Sequence, residues 1–314
     1  MTASLATPDA LALAAAIPAA ALGGVAFLKG VLGVAQALRV PKFLVATTLA
    51  AFATSSPELA VSSLAALAGK PEIGLGNALG SNVVNAGLIL GLALLFGALA
   101  ARLNAFKRDF VLALCVPVLT LVLALDGSLS RADGALLLTL FALWMTLVVR
   151  QAMAHRREAM PDTDLSTHPM RAWLLVLVGF ASLTLAGRLF VSGASAIAVA
   201  LGVHAYLIGA TVIAIGTTLP ELVTMLLSRL RGEDDVGLGT LLGSNLFNGL
   251  AIVGLAATIH PIDAPLGEVA VALVFGVLTV LLMLPRAGVI ARWRGLALLA
   301  AYAVFILVTV SQPL

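Results

Sequence analysis

The chain contains the same message twice. Residues 38–59 read LRVPKFLVATTLAAFATSSPEL and residues 201–222 read LGVHAYLIGATVIAIGTTLPEL, and they align without a gap at an offset of 163. The register continues through GLGNALGSNVVN (74–85) and GLGTLLGSNLFN (237–248). Each copy places an acidic residue, Glu58 or Glu221, inside an apolar stretch and follows it 27 residues later with Asn85 or Asn248. A carboxylate in hydrocarbon is costly and marks a functional site by default. Two at matching places point to a cation site between the halves of a duplicated membrane protein. A protonated helix-packing role is the alternative for one such Glu, and the duplication weakens it.

Composition supports the membrane reading. The mean hydropathy is +1.12, and charged residues make up only 11% of the 314 positions. This excludes an ordinary soluble domain. The single Cys115 excludes an intramolecular disulfide and a cysteine-rich metal site. The pI near 9.4 does not imply nucleic-acid binding, because the basic residues stand at span ends and not in one patch. An apolar run begins the chain without a preceding basic region, which reads as a first membrane helix, not a cleaved leader.

The expected fold is all-α, with ten membrane spans at about 9–38, 43–68, 73–99, 109–125, 134–151, 172–201, 206–229, 237–260, 268–285 and 294–312. When loops are assigned to alternating sides, fourteen basic residues (Arg39, Lys42 and Arg102 through Arg294) fall on one side, and only Lys70 and Arg131 on the other. That asymmetry makes the rich side cytoplasmic, with both termini outside. Five spans per half is an odd number, so the second copy enters the membrane inverted, about a pseudo-two-fold axis in the membrane plane. The expected organisation is a first half over 1–151 with its core motif at 44–92, a cytoplasmic connection over 152–171, and a second half over 172–314 with its motif at 207–255. Lys29 and Arg188 fall within spans at non-equivalent places. Lys29 can snorkel towards the cytoplasm, whereas Arg188 reads as nearer mid-span, lining a water-filled path or pairing across an interface. Glu233, Asp234 and Asp235 read as a solvated cytoplasmic loop, with cation attraction the alternative.

The motif chemistry is all oxygen. Pro57 and Pro220 lack an N–H and should free carbonyls around Ala51–Thr54 and Ala214–Thr217. Free carbonyls at membrane depth are tolerated where they face protein, water or an ion. Ser55 and Thr218 precede each Glu by three residues and share its helical face, while Ser81 with Asn85 and Ser244 with Asn248 are spaced i, i+4. Carboxylate, carbonyl, hydroxyl and amide oxygens together suit hard cations such as Ca2+ and Na+. Two carboxylates can neutralise one divalent ion or hold monovalent ions, and mutual exclusion of the two loads would give exchange. The serines could instead bond backbone carbonyls, and Asn82 and Asn245, off the Ser–Asn face, read as packing or backbone supports. Gly76, Gly80, Gly239 and Gly243 permit close helix approach, with Gly87 and Gly91 extending the seam.

These segments resemble the two alpha-repeats of the calcium/cation antiporter superfamily. The family pattern GTSLPE appears as ATSSPE (53–58) and GTTLPE (216–221), and GSN-x-x-N/D appears as GSNVVN and GSNLFN. The likeness covers nearly the whole chain and is greatest to small prokaryotic members of sodium/calcium exchanger type. It implies Glu58 and Glu221 as principal ion ligands, with Thr54, Ser55, Ser81, Asn85, Thr217, Thr218, Ser244, Asn248 and the carbonyls of Ala51 and Ala214 completing or supporting the sites. It further implies alternating access, with the first and sixth spans sliding over the bundle on faces that include Gly23, Gly24, Gly30, Gly187 and Gly193. Ala53 and Ser56 depart from the family Gly and Leu, and Ser56 adds a hydroxyl near the expected site. Both late positions are Asn where some relatives carry Asp, which leaves stoichiometry open. The GN-x-x-E motif usual in cation/proton exchangers is absent.

The leading expectation is therefore Na+/Ca2+ antiport in a prokaryotic cytoplasmic (inner) membrane. No enzyme activity, cofactor, nucleic acid or obligate protein partner is expected beyond the lipid bilayer and the transported ions. Coupling of Ca2+ or another cation to H+ or K+ is the alternative. A cation channel is disfavoured by broken helices in an inverted repeat. His155, His168, His204 and His260 stand in loops or near span ends and make no catalytic arrangement with the span residues.

Overall fold

The computed structural model describes residues 7–101, 103–158, 169–200 and 214–311. Its helices are α1 (Thr7–Leu38), α2 (Lys42–Thr54), α3 (Ser56–Leu67), α4 (Pro71–Leu95), α5 (Leu103–Leu123) and α6 (Arg131–Glu158). The second part of the chain supplies α7 (Pro169–Ala200), α8 (Ala214–Thr217), α9 (Leu219–Leu230), α10 (Asp234–Ile259), α11 (Leu266–Met283) and α12 (Trp293–Ser311). Among the described residues, seven helices are long and apolar enough to cross a membrane, or eight if the bent pair α2–α3 counts as one. The start of the seventh expected span lies outside the described residues. One expectation is corrected: α6 continues to Glu158, so residues 152–158 of the expected connection are helical. Gln151, just before this extension, accepts from Arg108 Nη1 at 3.0 Å, which ties α6 to α5.

Burial separates the bundle into a centre and a rim. In α4 and α10, 78% and 83% of the apolar window is buried, against 22% in α6. The most glycine-rich motif helices are thus the central ones, because small residues allow backbones to meet where lipid gives apolar side chains no preference for protein. Gly243 packs directly on the Thr47 carbonyl and Gly239 stands against Ala46. A second hydrophobic cluster joins α1 and α7 through Phe27, Leu28, Val31, Val34, Ala172, Val176 and Leu183. Gly23 faces Ser182, Gly30 faces the Val176 backbone, and Gly193 faces the Asp9 carbonyl. Ser182 Oγ adds a 2.9 Å bond to the Ala19 carbonyl.

Two short ribbons join distant parts of the chain. β1 (Leu99–Ala100) pairs antiparallel with β4 (Val289–Ile290), and β2 (Ser128–Leu129) pairs with β3 (Ile262–Asp263). β1 precedes α5 and β2 follows it, so the ribbons cap opposite ends of that helix. The buried Asp109 is held by Arg108 and by the Trp144 indole N–H at 2.9 Å, which locks α5 to α6. Arg294 donates to the carbonyls of Leu282 and Leu284 and closes the C-terminal end of α11.

Candidate cation site

The broken spans set the position of the carboxylates. Ser55 (φ −86°, ψ 6°) interrupts α2 and α3, and Thr218 (φ −87°, ψ 9°) interrupts α8 and α9. α2 and α3 diverge by 47° at this break. Pro57 and Pro220 occupy the first turn of the following helix, where their missing N–H has no intrahelical partner to lose. Glu58 and Glu221 stand one residue later, in the same N-terminal turn, where the positive end of the helix dipole favours negative charge.

Both carboxyl groups are 1% exposed and interact electrostatically with each other. Ser55 Oγ donates to Glu221 Oε1 at 3.2 Å from the opposite copy of the motif. Ser244 Oγ reaches the same oxygen at 3.3 Å, and Thr54 Oγ1 lies 3.3 Å from Ser244 Oγ. Thr217 interacts with Glu58 in the reciprocal sense. Thr218 is buried and directs its hydroxyl to the Ile215 carbonyl at 3.3 Å.

Asn82 and Asn245 do more than pack. Asn82 Nδ2 donates to the Asn245 carbonyl at 3.2 Å, and Asn245 Nδ2 donates to the Asn82 carbonyl at 3.4 Å. Their side-chain oxygens then accept from the ligand candidates: Asn85 Nδ2 to Asn245 Oδ1 and Asn248 Nδ2 to Asn82 Oδ1, each at 3.1 Å. Each copy therefore orients the asparagine of the other. With both amide nitrogens committed to this ring, Oδ1 of Asn85 and of Asn248 is left without a hydrogen-bond partner. Both asparagines lie in π-helical turns, Val84–Ile89 and Phe247–Ile252, a distortion common at functional sites. Apart from nearby glycines, no residue pattern marks these turns.

Six buried oxygens at the motif positions make no hydrogen bond of standard geometry among the described residues: both Glu58 oxygens, Glu221 Oε2, Ser81 Oγ, Asn85 Oδ1 and Asn248 Oδ1. Leaving such groups unsatisfied in a packed interior is costly. Their shared chemistry, oxygen with two carboxylates, matches what a hard cation requires. No cluster of three or more His, Cys, Asp or Glu occurs among the described residues, so neutral oxygens must complete any coordination shell.

Three expectations are corrected. The Ala51 carbonyl is not free, because it accepts from the Ser55 N–H at 2.9 Å and from Thr54 Oγ1 at 3.3 Å. The break falls at Ser55, which can still close a helical bond back to Ala51. Ser56 does not supply the site, since its hydroxyl bonds the Phe52 carbonyl at 2.7 Å on the outer side of α2. Arg188 needs no such correction: it is exposed on α7 between the Ser182–Ala19 and Gly193–Asp9 contacts. The Ala214 side chain and residues 201–213 lie outside the described part. Glu233 and Asp234 are more engaged than a solvated loop: Glu233 pairs with Lys42 at 2.7 Å and Asp234 with Arg229 at 3.0 Å.

This architecture has solved counterparts. The sodium–calcium exchanger NCX_Mj, in crystals soaked with Na+ and Sr2+, superposes with a TM-score of 0.84 at 27% identity, covering 98% of this chain and 100% of that one. CaxA of Alkalimonas amylolytica, named as an antiporter, is 37% identical over 292 residues, 88% of this chain and 90% of its own. The inner membrane protein YrbG of Escherichia coli is 34% identical over 230 residues, 71% of each chain. The profile of the sodium/calcium exchanger protein family matches residues 9–150 and 171–311. With its duplicated acidic motif, its buried oxygen cluster and this match over both halves, the chain belongs to the sodium/calcium exchanger family.

Proposed function

We propose that the protein is a secondary active antiporter that exchanges Na+ for Ca2+ by alternating access at one site between α2–α3, α4, α8–α9 and α10. The observation that carries this reading is the set of six buried oxygens without a hydrogen bond of standard geometry, three of them from the two carboxylates and three from Ser81, Asn85 and Asn248. Glu58 and Glu221 together balance one divalent ion, and the same oxygens can hold Na+ with partial neutralisation. Two loads that need the same carboxylates exclude each other, which is the requirement for exchange. Ser55, Thr54, Thr217, Thr218, Ser81, Ser244, Asn85 and Asn248 complete or orient the shell.

The ten-span, inverted organisation belongs to the same proposal. The pairing Leu99↔Ile290 maps onto Ile262↔Leu129 when each residue is replaced by its counterpart in the other copy, at an offset of 163 for Leu99 and of 161 for Leu129, where Gly127 and Gly134 answer to Gly288 and Gly295. The asparagine ring maps onto itself in the same way. Such reciprocity supports a pseudo-two-fold axis through the site. Fourteen basic residues on one side support an orientation with that side cytoplasmic and both termini outside.

The test is uptake of radiolabelled Ca2+ into proteoliposomes loaded with Na+, compared with K+-loaded vesicles and with Glu221→Gln protein. Uptake that needs internal Na+ and is lost in the variant is the expected result. Uptake that is equal without Na+ would replace Na+ coupling by H+ or K+ coupling, and none in folded protein would refute Ca2+ as substrate.

A further inference from the structure

One polar feature of α9 is unused by the central site. Thr224 and Ser228 are both fully buried, and neither Thr224 Oγ1 nor Ser228 Oγ has a hydrogen-bond partner. Other buried hydroxyls in the bundle bond the carbonyl four residues earlier, as Thr240 does to Val236 at 2.9 Å and Thr120 does to Val116 at 3.0 Å. Thr224 and Ser228 make no such bond and retain their hydrogen-bonding capacity.

Their positions are ordered. Glu221, Thr224 and Ser228 are spaced i, i+3 and i+7, and so lie on one face of α9. They cover about 10 Å along its axis. The line begins at a carboxylate of the site and runs towards the loop between α9 and α10, where Glu233, Asp234 and Asp235 line an open cavity with Lys42 and Phe43. Ser228 itself packs against Gly237 of α10, and its carbonyl accepts from the N–H of Glu233, a residue that lines the cavity, at 2.8 Å. The equivalent residues of the first copy are Val61 and Ala65. The hydroxyls are therefore not a by-product of duplication; they mark only the half of the molecule whose loops carry the basic residues.

We infer that Thr224 and Ser228 form the cytoplasmic leg of the ion path, a pair of hydroxyl stations that pass a partly dehydrated cation between Glu221 and the acidic cavity at Glu233–Asp235. This rests on the proposed antiport. Each hydroxyl oxygen offers a neutral ligand to the cation while water supplies the rest of its shell. Neutral oxygens bind weakly enough for release, whereas carboxylates in their place would trap the ion. The Lys42–Glu233 and Arg229–Asp234 pairs keep the cavity acids in place and temper their charge.

Two measurements test this with reconstituted full-length protein. In the first, Ser228→Cys is placed in a Cys115→Ala background and exposed to a membrane-impermeant thiol reagent from each side. Labelling from the cavity side alone, with loss of transport, is expected. Failure to label from that side in protein that exchanges ions overturns the inference. In the second, Thr224→Val combined with Ser228→Ala is expected to slow exchange at least fivefold and to leave equilibrium Ca2+ binding unchanged, with partial recovery when Thr224→Ser replaces Thr224→Val. An unchanged exchange rate in the double variant overturns it. If the double variant does not fold, the labelling result decides. Labelling requires no particular coupling ion, so wild-type protein that takes up no Ca2+ against Na+ would sink the antiport reading while leaving the path to be judged by labelling alone.

Discussion

In the proposed antiport Glu58 and Glu221 carry the ion chemistry, and among the described residues no lysine or arginine forms a salt bridge to either. Two buried carboxylates without a basic partner suit a cation, and removing one of them should weaken Ca2+ binding roughly a hundredfold, about 3 kcal/mol. Calorimetry on Glu58→Gln and Glu221→Gln checks this, with retained thermal unfolding as the control. Asn82→Ala should act less directly. It removes the acceptor of Asn248 Nδ2, so a buried donor is orphaned at a cost of about 1–3 kcal/mol. Both the melting temperature and Ca2+ affinity should fall, the latter about tenfold for each 1.4 kcal/mol that reaches the site. Ser56→Ala should change affinity by less than about 0.5 kcal/mol, as expected of a residue away from the site, because the hydroxyl is spent on Phe52. At this scale the carboxylates, serines and late asparagines were legible, since an acid in an apolar run has few structural explanations. The role of Asn82 and Asn245 was legible only as backbone support. That each aims the other copy's ligand depends on contacts across 160 residues or more, which one sequence does not encode locally.

Helix breaks and close packing were legible from proline and glycine, with one shift of detail. Proline marks the start of α3 and α9, while the irregular backbone sits at Ser55 and Thr218. The π-turns that carry Asn85 and Asn248 were not legible, because an extra residue in a helical turn leaves the apolar period almost unchanged. The short ribbons were missed as well, since two-residue strands carry no alternation. The α1–α7 pair gives a test of the sliding role implied by the family resemblance. A Cβ at Gly30 would stand 2.5 Å from the Val176 backbone nitrogen, a contact that side-chain rotation cannot relieve. Gly30→Val should therefore reduce exchange at least tenfold while the separate core around α4 and α10 still binds Ca2+. Measuring transport and equilibrium binding on the same preparation checks this. Equal loss of both would show that the substitution disrupts the site and not its movement.

For the molecule as a whole, apolar length and basic-loop asymmetry were enough to place the chain in a bilayer, and duplication was enough to expect two inverted halves. The polar character of residues 152–158 suggests a connection in isolation, but these residues extend α6. The proposed orientation rests on the charge asymmetry of the loops. In a Cys115→Ala background, Lys70→Cys should label only from outside the cell and Arg231→Cys only from the cytoplasm; the opposite pattern would invert the assignment. In the proposed exchange, one oxygen cluster with two carboxylates serves both ions by mutual exclusion. Its most direct test is Ca2+ binding to the purified protein across a series of Na+ concentrations. The account predicts that Na+ raises the apparent Kd for Ca2+ without lowering the number of Ca2+ sites, and that Glu58→Gln and Glu221→Gln abolish this competition. Ca2+ binding that is indifferent to Na+, or that survives loss of both carboxylates, would contradict it.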